Sequence, residues 1–359
     1  MAVTTAAFHR WITTIPEQID EARGYGCEAV GGPVRFRRST IGTIGRRSPA
    51  CYCASPLVKL RSPVTLFVIA TAIWGSTWLA IKFQLDSVSP EVSVAYRFAL
   101  ASLLLCAWCA LTRRSLRFDL RTHAFIALQG VLLFGFNYVA VYWAEIHATS
   151  GLVAVLFSTI VFMNPIGARW LFGTPLAVRT LVAAVLGITG VALLFVPELT
   201  QARRGGDAAL GIVLGLGATV IASAGNMAAM RNQRDGVPVL SGTAWGMAYG
   251  ALAAAVIAVA RGATWTLDTS AHYLASLAYL AVFGSVVAFG AYLTLLKRLG
   301  PGPASYVGVA TPVVAMAVST LFEAYRWTPV GAFGVVLAIA GNWLALKPTR
   351  RARSGPMPG

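Results

Sequence analysis

The sequence predicts an all-α polytopic membrane protein: ten transmembrane helices, arranged as two inverted five-helix repeats around a central cavity. Three observations predict it. Hydrophobic residues make up 57% of the 359 and charged residues only 12%, about half the roughly 25% charged of a soluble domain. That composition cannot be hidden inside one water-soluble globule. Ten apolar runs, most near 20 residues long, follow one another with short basic links between them. About 20 residues is the length that roughly 30 Å of hydrocarbon demands at about 1.5 Å of rise per residue. Finally, short motifs of the first five runs recur in the last five.

Residues 1–60 are of another kind. Glycine, proline and arginine punctuate them from Gly24 to Pro49, and no apolar run there is long enough to span a bilayer or serve as a signal-peptide core. Arg46-Arg47 lacks the continuation of a twin-arginine signal. This stretch is expected to be a disordered cytoplasmic tail, with a mis-assigned start codon as the alternative account. Its Cys51 and Cys53 have no histidine nearby to complete a tetrahedral site. Cys106 and Cys109 share one face of an apolar helix, where small thiols are ordinary packing. Neither a disulfide nor a metal is expected.

The runs then follow in order: 64–83, 91–111, 124–143, 149–172, 176–196, 209–230, 239–260, 273–296, 303–323 and 329–346. The first holds no formal charge before Lys82, yet carries Trp74, Gly75, Ser76, Thr77 and Trp78, which is polar for a mere anchor. The second buries Arg97 seven residues inside Pro90. The third ends in Asn137, Tyr138, Tyr142 and Trp143, and the fourth carries Ser158, Thr159 and Asn164-Pro165. The sixth holds Asn226, and its Gly215-Leu216-Gly217 lies inside an apolar helix, so it is no dinucleotide loop. In the seventh, Gly242, Gly246 and Gly250 repeat every four residues and continue as Ala254 and Ala258, a stripe that lets another backbone come close. The eighth contains Tyr292, and the ninth contains Thr311-Pro312.

Basic residues set the orientation. Links 2–3, 4–5, 6–7 and 8–9 plus the C-terminal tail hold 14 once Arg169 and Arg179, near the ends of the runs that flank link 4–5, are counted with it, against four in links 5–6, 7–8 and 9–10 and none in links 1–2 and 3–4. By the positive-inside rule both termini are cytoplasmic, including the basic tail at 348–359. The net charge of +16 is thus a topology signal, and nucleic acid is not an expected partner. Gly75 with Lys82 matches Ala224 with Arg231 at an offset of 149, Phe134-Gly135 matches Phe283-Gly284 at 149, and Thr174-Pro175 matches Thr328-Pro329 at 154. The halves, 61–200 and 201–347, therefore read as copies of one five-helix unit. Five is odd, so the second copy enters the membrane from the opposite side. Inverted repeats of this kind build secondary transporters, with the substrate site near midplane between the halves.

Trp74-Gly75-Ser76-Thr77, Pro90 with Arg97-Phe98, Thr149-Ser150-Gly151-Leu152 and Ser158-Thr159 resemble the EamA-type drug/metabolite transporter superfamily. So do Phe283-Gly284-Ser285, Tyr292, Leu299-Gly300-Pro301, Ala310-Thr311-Pro312 and Phe322-Glu323. The resemblance covers about 61–347. It implies a five-plus-five bundle with a central cavity and export or exchange of small metabolites such as amino acids. The expected function is a secondary transporter moving a small polar metabolite, an amino acid or related compound, outward across a bacterial inner membrane. Two positions depart from the pattern. Early proline and terminal glutamate in the fourth helix of each half are kept as Pro312 and Glu323. In the first half they fall on Val161 and Thr174, with the proline four residues late at Pro165.

The candidate substrate-binding residues follow from polarity placed in lipid. Arg97 at depth costs about 2.5–3.5 kcal/mol on insertion scales and needs a partner or a wet cavity. It either snorkels or pairs with Glu91 or Glu145, or else Arg97 or Lys82 meets a substrate carboxylate. Trp74, near the middle of its run, and Trp78 share a helix face and are expected to line the cavity with Ser76 and Thr77. Asn137, Tyr138, Tyr142, Ser158, Thr159, Asn164, Asn226, Tyr292 and Thr311 complete the set, although such side chains more commonly bond between helices. Asn164-Pro165 and Thr311-Pro312 mark broken helices in the two halves. No G-x-x-x-x-G-K-[ST] loop is present, so the chain itself does not hydrolyse ATP. The four histidines are scattered in sequence, and no cofactor is expected. The expected partners are the lipid bilayer, a small-molecule substrate and, for coupling, protons, with facilitated exchange equally open. A polytopic enzyme acting on a lipid-linked substrate is the alternative. Its candidates are the outer acidic residues Asp86, Glu91, Glu145, Asp268 and Glu323.

Overall fold

Proline and capping residues start the helices where the sequence places them. The computed structural model describes residues 62–346 apart from Asp86, Thr149, Phe195 and the stretches 197–206 and 323–327. The expected tails, with Cys51, Cys53 and Glu323, lie outside the described residues. Helix α1 (Pro63–Leu85) opens on Ser62, whose Oγ accepts from the Thr65 amide at 3.0 Å. Helix α2 (Pro90–Leu111) has proline at its first position, where the missing N–H costs nothing. Helix α3 (Leu120–His147) is capped by Asp119, which accepts from the Thr122 amide at 3.3 Å. There follow α4a (Ser150–Ser158) with α4b (Ile160–Phe172), α5 (Val178–Leu194), α6 (Asp207–Arg234), α7 (Val239–Ala260) and α8 (Ala271–Leu299). The chain continues as α9a (Pro301–Ser305), α9b (Val307–Phe322) and α10 (Pro329–Leu346). Among the described residues there is no strand.

Among the described residues, six helices are long and apolar enough to cross a membrane by themselves: α1, α2, α3, α6, α7 and α8. The remaining apolar runs fold into shorter pieces. Helices α5 and α10 have 17 and 18 residues, and the fourth and ninth runs are each split in two. Large apolar side chains such as Leu252, Val256 and Val259 on α7, or Phe333, Val336 and Trp343 on α10, point outward and are exposed. An apolar exterior of this kind suits hydrocarbon.

Small residues set the helix contacts. The most extensive pairings are α2 with α7 and α5 with α10, while α3 packs on both α6 and α7. The glycine stripe of α7 meets α3 at a point where neither helix has room for a side chain. A Cβ on Gly130 would lie 2.1 Å from the Gly246 carbonyl oxygen, and one on Gly250 would lie 2.5 Å from Phe134 Cβ. Between α5 and α10, a Cβ on Gly190 would sit 2.5 Å from the Gly334 oxygen. In lipid, where helices gain little by hiding apolar surface, close backbone approach supplies the attraction.

Two kinds of irregularity occur in pairs. Helix α3 contains a π-helical segment at Val131–Phe136, and α8 contains one at Leu280–Val287. Each holds one of the two Phe-Gly pairs that recur 149 residues apart. The second pair is the helix breaks. Thr159 interrupts the fourth helix and Tyr306 the ninth, each six residues before a proline, Pro165 or Pro312. The prolines themselves sit inside α4b and α9b. The breaks therefore do not fall at Asn164-Pro165 and Thr311-Pro312 but about one and a half turns earlier. Tight i→i−3 bonds replace the helical ladder there: Thr159 N to Leu156 O at 3.1 Å and Tyr306 N to Pro303 O at 3.4 Å. Measured from its break, Pro165 is not late relative to Pro312.

Candidate functional site

The split helices cross each other: α4a packs on α9b and α4b on α9a. Gly308 lies at this crossing, where an added Cβ would be 2.9 Å from Ile160 Cγ2. Beside it a cavity opens, walled by α1, α3, α4, α6, α8 and α9. Helix α1 gives it Trp74, Thr77, Trp78 and Ile81, α3 gives Leu133, Asn137, Tyr138 and Val141, and α4 gives Ala154, Phe157 and Ile160. From the second half come Ala222 and Asn226 on α6, Phe289 and Tyr292 on α8, and Ser305, Gly308, Thr311 and Pro312 on α9. The centre of a water molecule can move through about 80 Å³ of it. At roughly 10–15 Å³ per water by that measure, there is room for about five to eight waters, the bulk of one small metabolite.

The walls are largely aromatic. The Trp74 ring centroid is 4.9 Å from that of Phe289 and 5.2 Å from that of Tyr292, and Phe289 lies 6.0 Å from Tyr138. Polar atoms punctuate them. Trp74 Nε1 donates to the Gly284 carbonyl at 3.1 Å. Asn226 Nδ2 donates to Asn164 Oδ1, and Asn164 Nδ2 to the Tyr292 hydroxyl, both at 3.4 Å, which ties α6, α4b and α8 together. Asn137 Nδ2 donates to Leu133 O at 3.2 Å. The Oδ1 atoms of Asn137 and Asn226 and Nε1 of Trp78 are buried with no protein partner. Buried polar atoms without a partner cost free energy, so in a roomy cavity they point to water or a ligand.

Arg97 lies immediately behind this wall. It is fully buried, and its Nε donates to Ser285 Oγ at 3.0 Å. Ser285 is itself held by donating to the Leu280 carbonyl, five residues back, at 2.9 Å, so the π segment of α8 anchors the arginine. The guanidinium stacks over Tyr138 at 4.6 Å and Phe98 at 5.2 Å from the ring centroids. The phenols of Tyr138 and Tyr142 feel its charge, but Nη1 and Nη2 close no hydrogen bond. Of the alternatives for Arg97, the pairing with Glu91 does not occur, because Glu91 is engaged elsewhere. Its Oε1 lies 3.2 Å from Arg261 Nε, and its Oε2 accepts from Trp143 Nε1 at 3.3 Å. Glu145 interacts with Lys82 and Arg97 only through space, and both its carboxylate oxygens are buried with no hydrogen bond.

Of the residues expected at the site, Trp74, Thr77, Trp78, Asn137, Tyr138, Asn226, Tyr292 and Thr311 line the cavity. Asn164 and Arg97 stand one layer behind it. The others face elsewhere. Ser76 Oγ is 2.6 Å from the Tyr279 hydroxyl, Tyr142 donates to Gln84 Oε1 at 2.9 Å, and Thr159 Oγ1 donates back to Leu156 O at 2.6 Å. Ser158 is buried and Lys82 exposed. The sequence reading missed the apolar lining, Phe289 and Phe157 above all. Only their place one or two turns from polar wall residues could have hinted at it.

The profile of a family described as the EamA-like transporter family matches the chain twice, over residues 61–196 and 209–347. The chain is 28% identical over 283 residues to an Escherichia coli protein named as the uncharacterized inner membrane transporter YedA, covering 76% of this chain and 89% of that one. It is 22% identical to the protein PagO of Salmonella typhimurium over 298 residues, 78% of this chain and 91% of the other. With the uncharacterized transporter YyaM of Bacillus subtilis it shares 24% identity over 288 residues, 74% and 88% of the two chains. One solved crystal structure superposes with a TM-score of 0.64 over 80% of this chain and 98% of that chain, at 19% identity, a likeness of fold.

Proposed function

The chain belongs to the EamA-like transporter family, and from that premise we propose that it is a secondary transporter moving a small polar metabolite, an amino acid or related compound, outward across a bacterial inner membrane by alternating access. One observation carries the reading. The cavity is walled by three pairs of helices, α1 with α6, α3 with α8 and α4 with α9, and in each pair the second is the fifth helix after the first. Pairs of this kind are what two copies of a five-helix unit would contribute on either side of a central site.

Further observations support an inverted ten-span repeat, 61–200 and 201–347, over a single irregular bundle. The family profile matches once in each half. The π segments begin 149 residues apart, and the breaks at Thr159 and Tyr306 stand in the same relation to a proline. Helices α4a and α4b cross α9b and α9a in exchanged order, as a two-fold axis in the membrane plane requires. The asymmetry of basic residues supports cytoplasmic termini. The halves would rock about the crossing at Gly308 and Ile160 and expose the cavity to each side in turn. A cavity of about five to eight waters favours one amino acid over a dipeptide. Membership of a transporter family favours transport over chemistry on a lipid-linked substrate.

Counterflow in proteoliposomes tests this. Vesicles loaded with an unlabelled amino acid mixture should accumulate the matching labelled solute transiently, and protein-free vesicles should not. A series of amino acids, nucleosides and cationic amines giving no counterflow, from protein that is folded and correctly reconstituted, would sink the transport reading.

A further inference from the structure

Resting on that reading, we propose that Arg97 is the anion receptor of the site, so that the substrate is a small monocarboxylate with an apolar body and Tyr138 is the movable wall between the two. Arg97 is permanently charged, fully buried, and held by one hydrogen bond through Nε. That bond leaves both terminal nitrogens, the fork that grips a carboxylate side by side, without a partner. The phenols of Tyr138 and Tyr142 lie within range of the guanidinium, but neither closes a hydrogen bond on these nitrogens. Glu91 is committed to Arg261 and Trp143, and Glu145 makes no hydrogen bond at all.

The guanidinium is also next to the cavity. It lies under the Tyr138 ring, and Tyr138 is a wall residue. On the other side Gly284 stands between Arg97 and Thr77. The point where a Cβ on Gly284 would stand is 3.1 Å from Arg97 Nη2 and 3.0 Å from the Cγ2 of Thr77, a second wall residue. Glycine at 284 keeps this passage free of a side chain. A rotation of the Tyr138 ring about its own side-chain bonds would uncover Nη1 and Nη2 to the cavity without moving a helix.

The charge arithmetic selects the anion. One guanidinium, flanked by two aromatic rings, balances one negative charge. A phosphate dianion would bring an excess of negative charge into the same pocket. The rest of the lining is aromatic or aliphatic apart from a few amides and hydroxyls, which suits a compact apolar body behind the carboxylate. The unpartnered Oδ1 atoms of Asn137 and Asn226 can accept from an amino group on the same molecule.

The test is a matched pair of probes, phenylacetate and phenethylamine, titrated against full-length protein in lipid nanodiscs by thermal shift. Phenylacetate should raise the melting temperature of wild type, phenethylamine much less. Arg97→Gln should weaken phenylacetate binding at least tenfold and leave phenethylamine unchanged. Arg97→Lys should fall between, since an ammonium keeps the charge but loses the planar fork. A folded Arg97→Gln variant that binds phenylacetate as wild type does overturns the proposal, as does a wild type that prefers the amine. Should Arg97→Gln fail to fold, Tyr138→Ala decides. A change of at least threefold confined to phenylacetate supports the proposal, and equal changes for both probes refute it. Counterflow by the same purified protein in proteoliposomes separates the two readings. Carboxylate binding without counterflow sinks transport, and counterflow of amines alone sinks the role of Arg97.

Discussion

The contact between α3 and α7 gives a graded forecast, because three glycines differ only in what an added methyl would meet. On Gly217 of α6 a Cβ meets nothing within 4 Å, and on Gly246 of α7 it meets the edge of Phe134 at 3.2 Å. On Gly130 of α3 it would stand 2.1 Å from a backbone oxygen of the neighbouring helix. Alanine gains about 1 kcal/mol over glycine inside a helix, so Gly217→Ala should be stabilising by up to that amount. At Gly246 the ring must shift a few tenths of an ångström, and gain and cost should nearly cancel. At Gly130 no flexible side chain can give way, and the helices must part by about 1 Å. Overpacking of this sort costs about 1–3 kcal/mol or more. At about 2–4 °C per kcal/mol for a mid-sized domain, Gly130→Ala should melt roughly 2–12 °C below wild type, with Gly246→Ala near wild type and Gly217→Ala at or above it. Thermal unfolding of the detergent-purified variants by intrinsic fluorescence reads the order directly. If Gly130→Ala melts at or above Gly217→Ala, the close approach of α3 and α7 is wrong, and with it the place of Asn137 and Tyr138 on the cavity wall.

Asn164→Ala should remove the links to both Asn226 and Tyr292, lower stability by about 1–3 kcal/mol through the polar atoms left alone, and abolish counterflow in the same vesicles. Glu91→Gln should be milder, about 1 kcal/mol or less in thermal unfolding. Its partner Arg261 is 59% exposed and can rehydrate, and the amide can still accept from Trp143. At the exposed start of α3, the hydroxyl and amide of Thr122 hold the Asp119 carboxyl below its ordinary range. Its contribution is therefore complete above a pH of about 4 and fades as acid titrates it. Asp119→Asn should flatten that limb of a stability–pH curve while leaving neutral pH little changed.

The parts of the fold legible in the sequence are those where one residue type has few uses. Glycine every fourth residue on α7 announced a close helix contact, but spacing names a face and not the neighbour, so Gly130 went unread. Trp74, Thr77 and Trp78 stood out as polar groups in hydrocarbon, and all three line the cavity. Ser76, beside them, points off to Tyr279, because neighbours on a helix are about 100° apart and one face cannot hold all four. Arg97 was legible as a buried charge. Its anchor was not, since Ser285 reaches it only after the chain has gone round most of the bundle. Phe289 and Phe157 could not be told from lipid-facing phenylalanines, as hydrocarbon and an aromatic wall ask the same of a side chain.

Least legible, and most consequential, are the places where the backbone leaves regular helix. In the π segment of α8 the Leu280 carbonyl is taken up by Ser285, which holds Arg97, and the Gly284 carbonyl is met by Trp74. In α3 the equivalent segment ends at Asn137, on the cavity wall. The two helix breaks deliver Ile160, Ser305 and Gly308 to the same space. Hydrocarbon does not tolerate unpaired carbonyls and amides, so irregular backbone at membrane depth has to face protein or water. A single such segment could be buried by one neighbour. The helices that carry the four, α3, α4, α8 and α9, all border the cavity, and side chains beside these segments take up the carbonyls they loosen: Ser285 that of Leu280, Trp74 that of Gly284, Thr159 that of Leu156 and Thr311 that of Val307. The irregular backbone is thus met by protein on one side and by the hollow on the other, where regular helix would need neither.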